Sequence, residues 1–161
     1  MLGLTPLGVF HTAIGLIAVA AGLIALVRDR QISPRNLTGK VYVITTVITC
    51  LTAFGIFQHG GITPGHVLGV ITLVVLGVAG AAGAGWFGRL SRHVEIVSYS
   101  MTFFFHMIPA VTETTTRLPL GAPLLAGPEA PELQKAIGAF FILFLIGATL
   151  QVAMLRRKAR T

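Results

Sequence analysis

Residues 98–114 read SYSMTFFFHMIPAVTET. The run is apolar enough to belong to a membrane helix, yet it holds one histidine and ends beside a glutamate. Its reading decides the fold, because it adds a fifth span and so sets the chain's two ends on opposite sides of a bilayer. An ionisable side chain in hydrocarbon is costly, so His106 and Glu113 must face something other than lipid.

Helical geometry says what that is. At about 100° per residue, Glu95, Ser98, Tyr99, Thr102, His106, Pro109 and Glu113 fall on a stripe roughly 100° wide. Phe103, Phe104 and Phe105 mostly point elsewhere. Such a helix suits a bundle into which the polar stripe is turned. The span is predicted from about Val94 to Thr114.

Working outward, 54% of the 161 residues are hydrophobic and only 11% are charged, with a mean hydropathy of +0.85. A soluble domain carries about 25% charged residues. The chain therefore reads as an all-α polytopic membrane protein, a single transmembrane helical domain over residues 1–161. A span needs about 20 mostly apolar residues. The other four are predicted at about 5–27, 40–57, 64–87 and 131–155. MLGLTPLGVFH lacks the positive start of a signal peptide, so the first run is expected to be a retained span.

A net charge of +7 would suggest nucleic acid for a soluble protein. Here the bases cluster between apolar runs, so no nucleic-acid partner is expected. Arg28, Arg30, Arg35 and Lys40 follow span one, Arg89 and Arg92 follow span three, and Arg156, Arg157, Lys158 and Arg160 end the chain. Only Arg117 and Lys135 fall on the other side. The positive-inside rule then predicts an outward N-terminus and a cytoplasmic C-terminus, in a bacterial inner membrane. Asn36-Leu37-Thr38 matches a glycosylation sequon but falls on the inner side of this topology. Cys50 is the single cysteine, so no intrachain disulfide forms.

Thr63 is placed to cap span three, with Pro64 at its first position, and Pro131 with Glu132 opens span five in the same way. Between spans four and five, Pro119, Pro123 and Pro128 exclude a continuous helix. Faces of small and polar residues are predicted on the other spans: Gly8, His11, Thr12, Gly15 and Gly22 on the first; Tyr42, Thr45, Thr49 and Thr52 on the second; His66, Gly69, Gly77, Gly80 and Ala84 on the third. Small residues let helix backbones approach, and threonines bond across the contact.

At 1.5 Å per residue, His11 lies about 9 Å and His106 about 12 Å below the outer boundary. His66 opens span three and His59 lies in the outer loop, leaving only His93 among the inner charges. Three chemistries follow from this outer cluster. The first is a redox or electron-transfer component holding haem b between His11 and His106, with His66 as an alternative ligand and Arg117 and Lys135 available to the propionates. The second is a transition-metal ion held by His11, His66 and His106, with Glu113 as an oxygen ligand or base. The third is an ion- or proton-coupled path through Glu95, Tyr99, Thr102, His106 and Glu113. Beside them stands a plainer reading, in which these groups bond other helices and the chain is an accessory subunit of a larger membrane complex or of a homo-oligomer. No catalytic motif is present.

HTAIGLIAVAAGLIALVRDR (11–30), followed by RNLTGKVYV (35–43), resembles a bacterial family of predicted multi-span membrane proteins of unknown function. The likeness covers His11, Gly15 and Gly22 on span one, then Gly39, Lys40, Val41 and Tyr42. Asn36 stands near the point where a histidine often precedes that glycine and tyrosine. The resemblance implies a membrane protein and no particular activity.

Overall fold

The computed structural model describes residues 5–56 and 61–158; His59 lies outside them. The described residues form five α-helices and no strand: α1 (Pro6–Asp29), α2 (Leu37–Ala53), α3 (Pro64–Gly83), α4 (Ser91–Arg117) and α5 (Pro131–Lys158), with a 3-10 turn at Gly88–Leu90. Helices α1, α3, α4 and α5 are long and apolar enough to cross a membrane. α2, at 17 residues, is shorter. At 1.5 Å per residue it measures about 26 Å, just under a hydrocarbon core of about 30 Å.

Packing is inverted relative to a soluble protein. Ala18, Ala25 and Ala79 are fully buried, while Leu16, Ile17, Leu23 and Val27 point outward, Val27 with 75% of its surface exposed. Small residues inside and large aliphatics outside suit lipid as the surrounding solvent, where close backbone approach replaces a hydrophobic drive. α1 to α4 close into a ring, each against its neighbours, and α5 lies outside it on α4. Only 6% of the apolar part of α5 is buried, against 33% for α3 and α4.

Most ends follow their caps. The Thr5 hydroxyl accepts from the Gly8 N–H at 3.1 Å, and Pro64 and Pro131 open α3 and α5. α2 begins three residues earlier than predicted because Asn36 caps it, accepting from the Gly39 N–H at 2.8 Å. Gly39 is required there: a Cβ would overlap the Ser33 carbonyl oxygen. α3 stops at Gly83 rather than Phe87, since Gly85 and Gly88 take φ of +90° and +55° and turn the chain out of the helix.

The face predicted for α3 holds only at its start. His66 and Gly69 are buried, but Gly77, Gly80 and Ala84 are exposed, and burial continues through Thr72, Leu76, Ala79 and Ala82. The buried stripe rotates along the helix. α4 runs unbroken through Pro109. The following segment folds back on its end, with the Leu125 N–H bonded to the Thr115 carbonyl at 2.9 Å.

Candidate functional site

α4 carries its polar stripe inward as spacing requires. Glu95, Tyr99, Thr102 and His106 are all buried, whereas Pro109 and Glu113 emerge at the end of the ring. What each buried group meets on the neighbouring helices fixes the chemistry.

Thr102 and Tyr42 meet at 2.8 Å across α4 and α2. Thr102 also donates its single hydroxyl proton to the Tyr99 carbonyl at 2.8 Å, so in the Tyr42 contact it accepts. Thr46 stands one turn along α2 from Tyr42. Thr46 in turn meets His106 Nε2 at 3.0 Å. The Tyr42 hydroxyl therefore donates to Thr102, and Thr102 to the carbonyl of Tyr99, while the direction of the His106–Thr46 bond follows the tautomer of the ring.

His11 is set by the same reasoning. Its Nδ1 lies 3.0 Å from Thr52 Oγ1, and the Thr52 hydroxyl already donates to the carbonyls of Ile48 and Thr49 at 2.9 and 3.0 Å. Thr52 therefore accepts from Nδ1–H, and Nε2 carries the lone pair. Each histidine thus bonds a threonine of α2 through one ring nitrogen, His11 through Nδ1 and His106 through Nε2.

Both rings line one cavity of about 90 Å³ between α1, α2, α3 and α4, with Thr49, Cys50 and Thr72 as its other polar walls. A water occupies about 30 Å³ of liquid, so the space admits about three. Gly65 and Gly69 form its α3 side.

The remaining predicted site residues are engaged elsewhere. His66 closes the N-terminus of α3: its Nδ1 accepts from the Thr63 N–H at 3.1 Å and meets the Thr63 hydroxyl at 2.8 Å. That nitrogen is a cap, and the ring stacks on Phe54 with centroids 6.5 Å apart. Glu113 forms an ion pair with Arg117, one turn further on the same helix, and 54% of its side chain is exposed. Among the described residues no three His, Cys, Asp or Glu side chains are gathered as a metal site. Of His11, His66, His106 and Glu113, the structure brings His11 and His106 to one cavity, while His66 caps α3 and Glu113 pairs with Arg117.

At the opposite end of the stripe, Glu95 is a buried carboxylate with only 3% of its side chain exposed. Arg35 donates to its Oε1 at 2.6 Å and Arg92 to its Oε2 at 2.8 Å. Arg92 also donates to Gln31 at 3.0 Å. The carboxylate raises the Arg35 guanidinium above its ordinary value, chiefly through that hydrogen bond. A Cβ on Gly83 would lie 3.2 Å from Oε1, so the end of α3 closes the other side. Reading the sequence identified Glu95 but not its partners; Arg35 and Arg92 passed as ordinary loop charges. Thr46 and Gln151 were also missed, the first because it falls off the stripe of Tyr42, Thr45, Thr49 and Thr52.

No family model, no curated protein and no solved structure matches the chain.

Proposed function

We propose that the chain is a proton-coupled component of a bacterial inner membrane. In this reading it has five spans, with the short α2 crossing inside the ring, an outward N-terminus and the basic ends of the helices at the cytoplasm. One observation carries the reading: two imidazoles share a small cavity, and inward from His106, which bonds Thr46, the hydroxyls of Tyr42 and Thr102 follow and bond each other.

The chemistry is proton exchange. A proton taken up at His11 Nε2 passes through cavity water to His106, the water giving one proton as it receives one. His106 can then release its Nε2 proton along the row, each hydroxyl passing one on and receiving one. The last acceptor is the Tyr99 carbonyl, which accepts a hydrogen bond but takes no proton. The path is closed there until the Thr102 hydroxyl turns away. Glu95, beyond it, is the carboxylate at which an inward proton would arrive.

A second reading rests on the same cavity. Two imidazoles facing one space from α1 and α4 are what bis-histidine ligation needs. A volume of about 90 Å³ admits an ion with its water, whereas a porphyrin is far larger. Haem would therefore require α1 and α4 to move apart. Proton exchange requires no such separation and is preferred.

The test is proton flux in liposomes holding the purified chain, driven by a potassium diffusion potential and read with an entrapped pH dye. Flux above that of empty vesicles, lost in His106→Ala, supports the reading. Flux equal to that of empty vesicles overturns it for the chain acting alone. An absorption spectrum with a Soret band from the same preparation would transfer the argument to haem.

A further inference from the structure

The seam between the C-terminal ends of α1 and α5 combines a weak attachment with excess positive charge. α5 meets the bundle only through α4 along its length, with Phe141 and Phe144 against Phe104. Near its end Gln151 makes a polar anchor: it accepts from Ser100 Oγ at 3.0 Å and donates to the Arg30 carbonyl at 2.9 Å. Arg30 ends α1 with φ of +57°, and its guanidinium contacts Met154 Sδ at 3.9 Å. Arg157 lies three residues beyond Met154 and so on the same face of α5. Backbone and side chain thus hold Arg30 against the part of α5 that carries Arg157.

Charge accounting shows what these groups lack. The chain has five acidic residues. Asp29 is paired with Arg28, and Glu95 with Arg35 and Arg92. Glu113, Glu129 and Glu132 belong to the opposite ends of α4 and α5. Among the described residues Arg30, Arg156 and Arg157 have no carboxylate partner at all, and all three are exposed. Guanidinium groups bind phosphate oxygens in bidentate fashion, and basic recesses between membrane helices suit anionic headgroups.

We propose that this seam binds the phosphate of an anionic phospholipid, with Arg30 from α1 and Arg157 from α5 as its two ligands. The lipid ties α5 to the ring at the end where Gln151 and Met154 also meet it.

The full chain in neutral detergent, titrated with phosphatidylglycerol, phosphatidylcholine or inorganic phosphate and followed by thermal unfolding, tests this. Phosphatidylglycerol is expected to raise the melting temperature while phosphatidylcholine does not. Arg30→Gln and Arg157→Gln should each remove more than half of that rise. Lys40→Gln, a cation at the same end of the bundle but on α2, should retain it. Equal loss in Lys40→Gln would mean diffuse attraction and overturn the site. A rise with inorganic phosphate equal to that with phosphatidylglycerol would overturn the lipid assignment. Should Arg30→Gln fold poorly, Arg157→Gln gives the same answer from the exposed end of α5.

Discussion

Arg35 reaches across sixty positions of sequence to donate to Glu95 at 2.6 Å, joining the α1–α2 loop to the start of α4. The carboxylate is almost wholly buried, and Arg92 supplies its second oxygen. Both arginines remain partly exposed. The energetic consequences of breaking this triad are therefore unequal. Removing the acid leaves two cations that solvent can reach, whereas removing both bases strands a buried anion.

Arg35→Ala combined with Arg92→Ala should destabilise the bundle by about 3–5 kcal/mol, the range for an uncompensated buried charge. Adding Glu95→Gln to that pair should restore most of the loss. Unfolding in detergent and denaturant measures it. A triple variant no more stable than the double one would mean that the triad does not carry this contact.

Gly39→Ala should cost about 1–3 kcal/mol, the ordinary penalty for overfilling a packed contact, because its Cβ meets the Ser33 carbonyl oxygen. Gly77→Ala and Gly80→Ala, with open space around each, should be neutral or mildly stabilising. Thermal unfolding of the three variants side by side reads the contrast. Equal effects would contradict the close approach at Gly39.

The Tyr42–Thr102 bond can be isolated by a double-mutant cycle with Tyr42→Phe and Thr102→Val. Interhelical bonds in membranes average about 0.6 kcal/mol and reach about 1.7. Since Thr102 also serves the Tyr99 carbonyl, the coupling should fall in the upper half of that span. Additive single effects would remove this link from the row.

His66→Ala should cost about 1 kcal/mol through loss of the cap on α3 and leave proton flux at the level of the unaltered chain. Loss of flux without loss of stability would return His66 to the site.

The helices and their lipid-facing sides were legible in the sequence because apolar length and a 3.6-residue period are local properties. So was the inward turn of Glu95, Tyr99, Thr102 and His106, which one helical stripe predicts. Partners across helices were not legible, because nothing in the order of residues says that Thr46 meets His106 or that Arg35 meets Glu95. His66 misled for a related reason. A histidine three residues after Thr63 resembles a ligand by type, and only the capping geometry reveals its use. Asn36 drew attention as part of a sequon, while its position before an apolar run already marked it as a cap. The later part of α3 departed from its predicted face because its buried stripe rotates along the helix, which a fixed 100° step does not follow.

The measurement that bears most directly on the central claim is the nitrogen-15 spectrum of labelled histidine in bilayers, assigned with His11→Asn and His106→Asn. The proton-exchange reading predicts a proton on Nδ1 of His11 and on Nε2 of His106, with both rings in contact with the same exchanging water. Two rings of the same tautomer, or either ring without a water contact, would contradict it and leave the histidines as interhelical bonds alone.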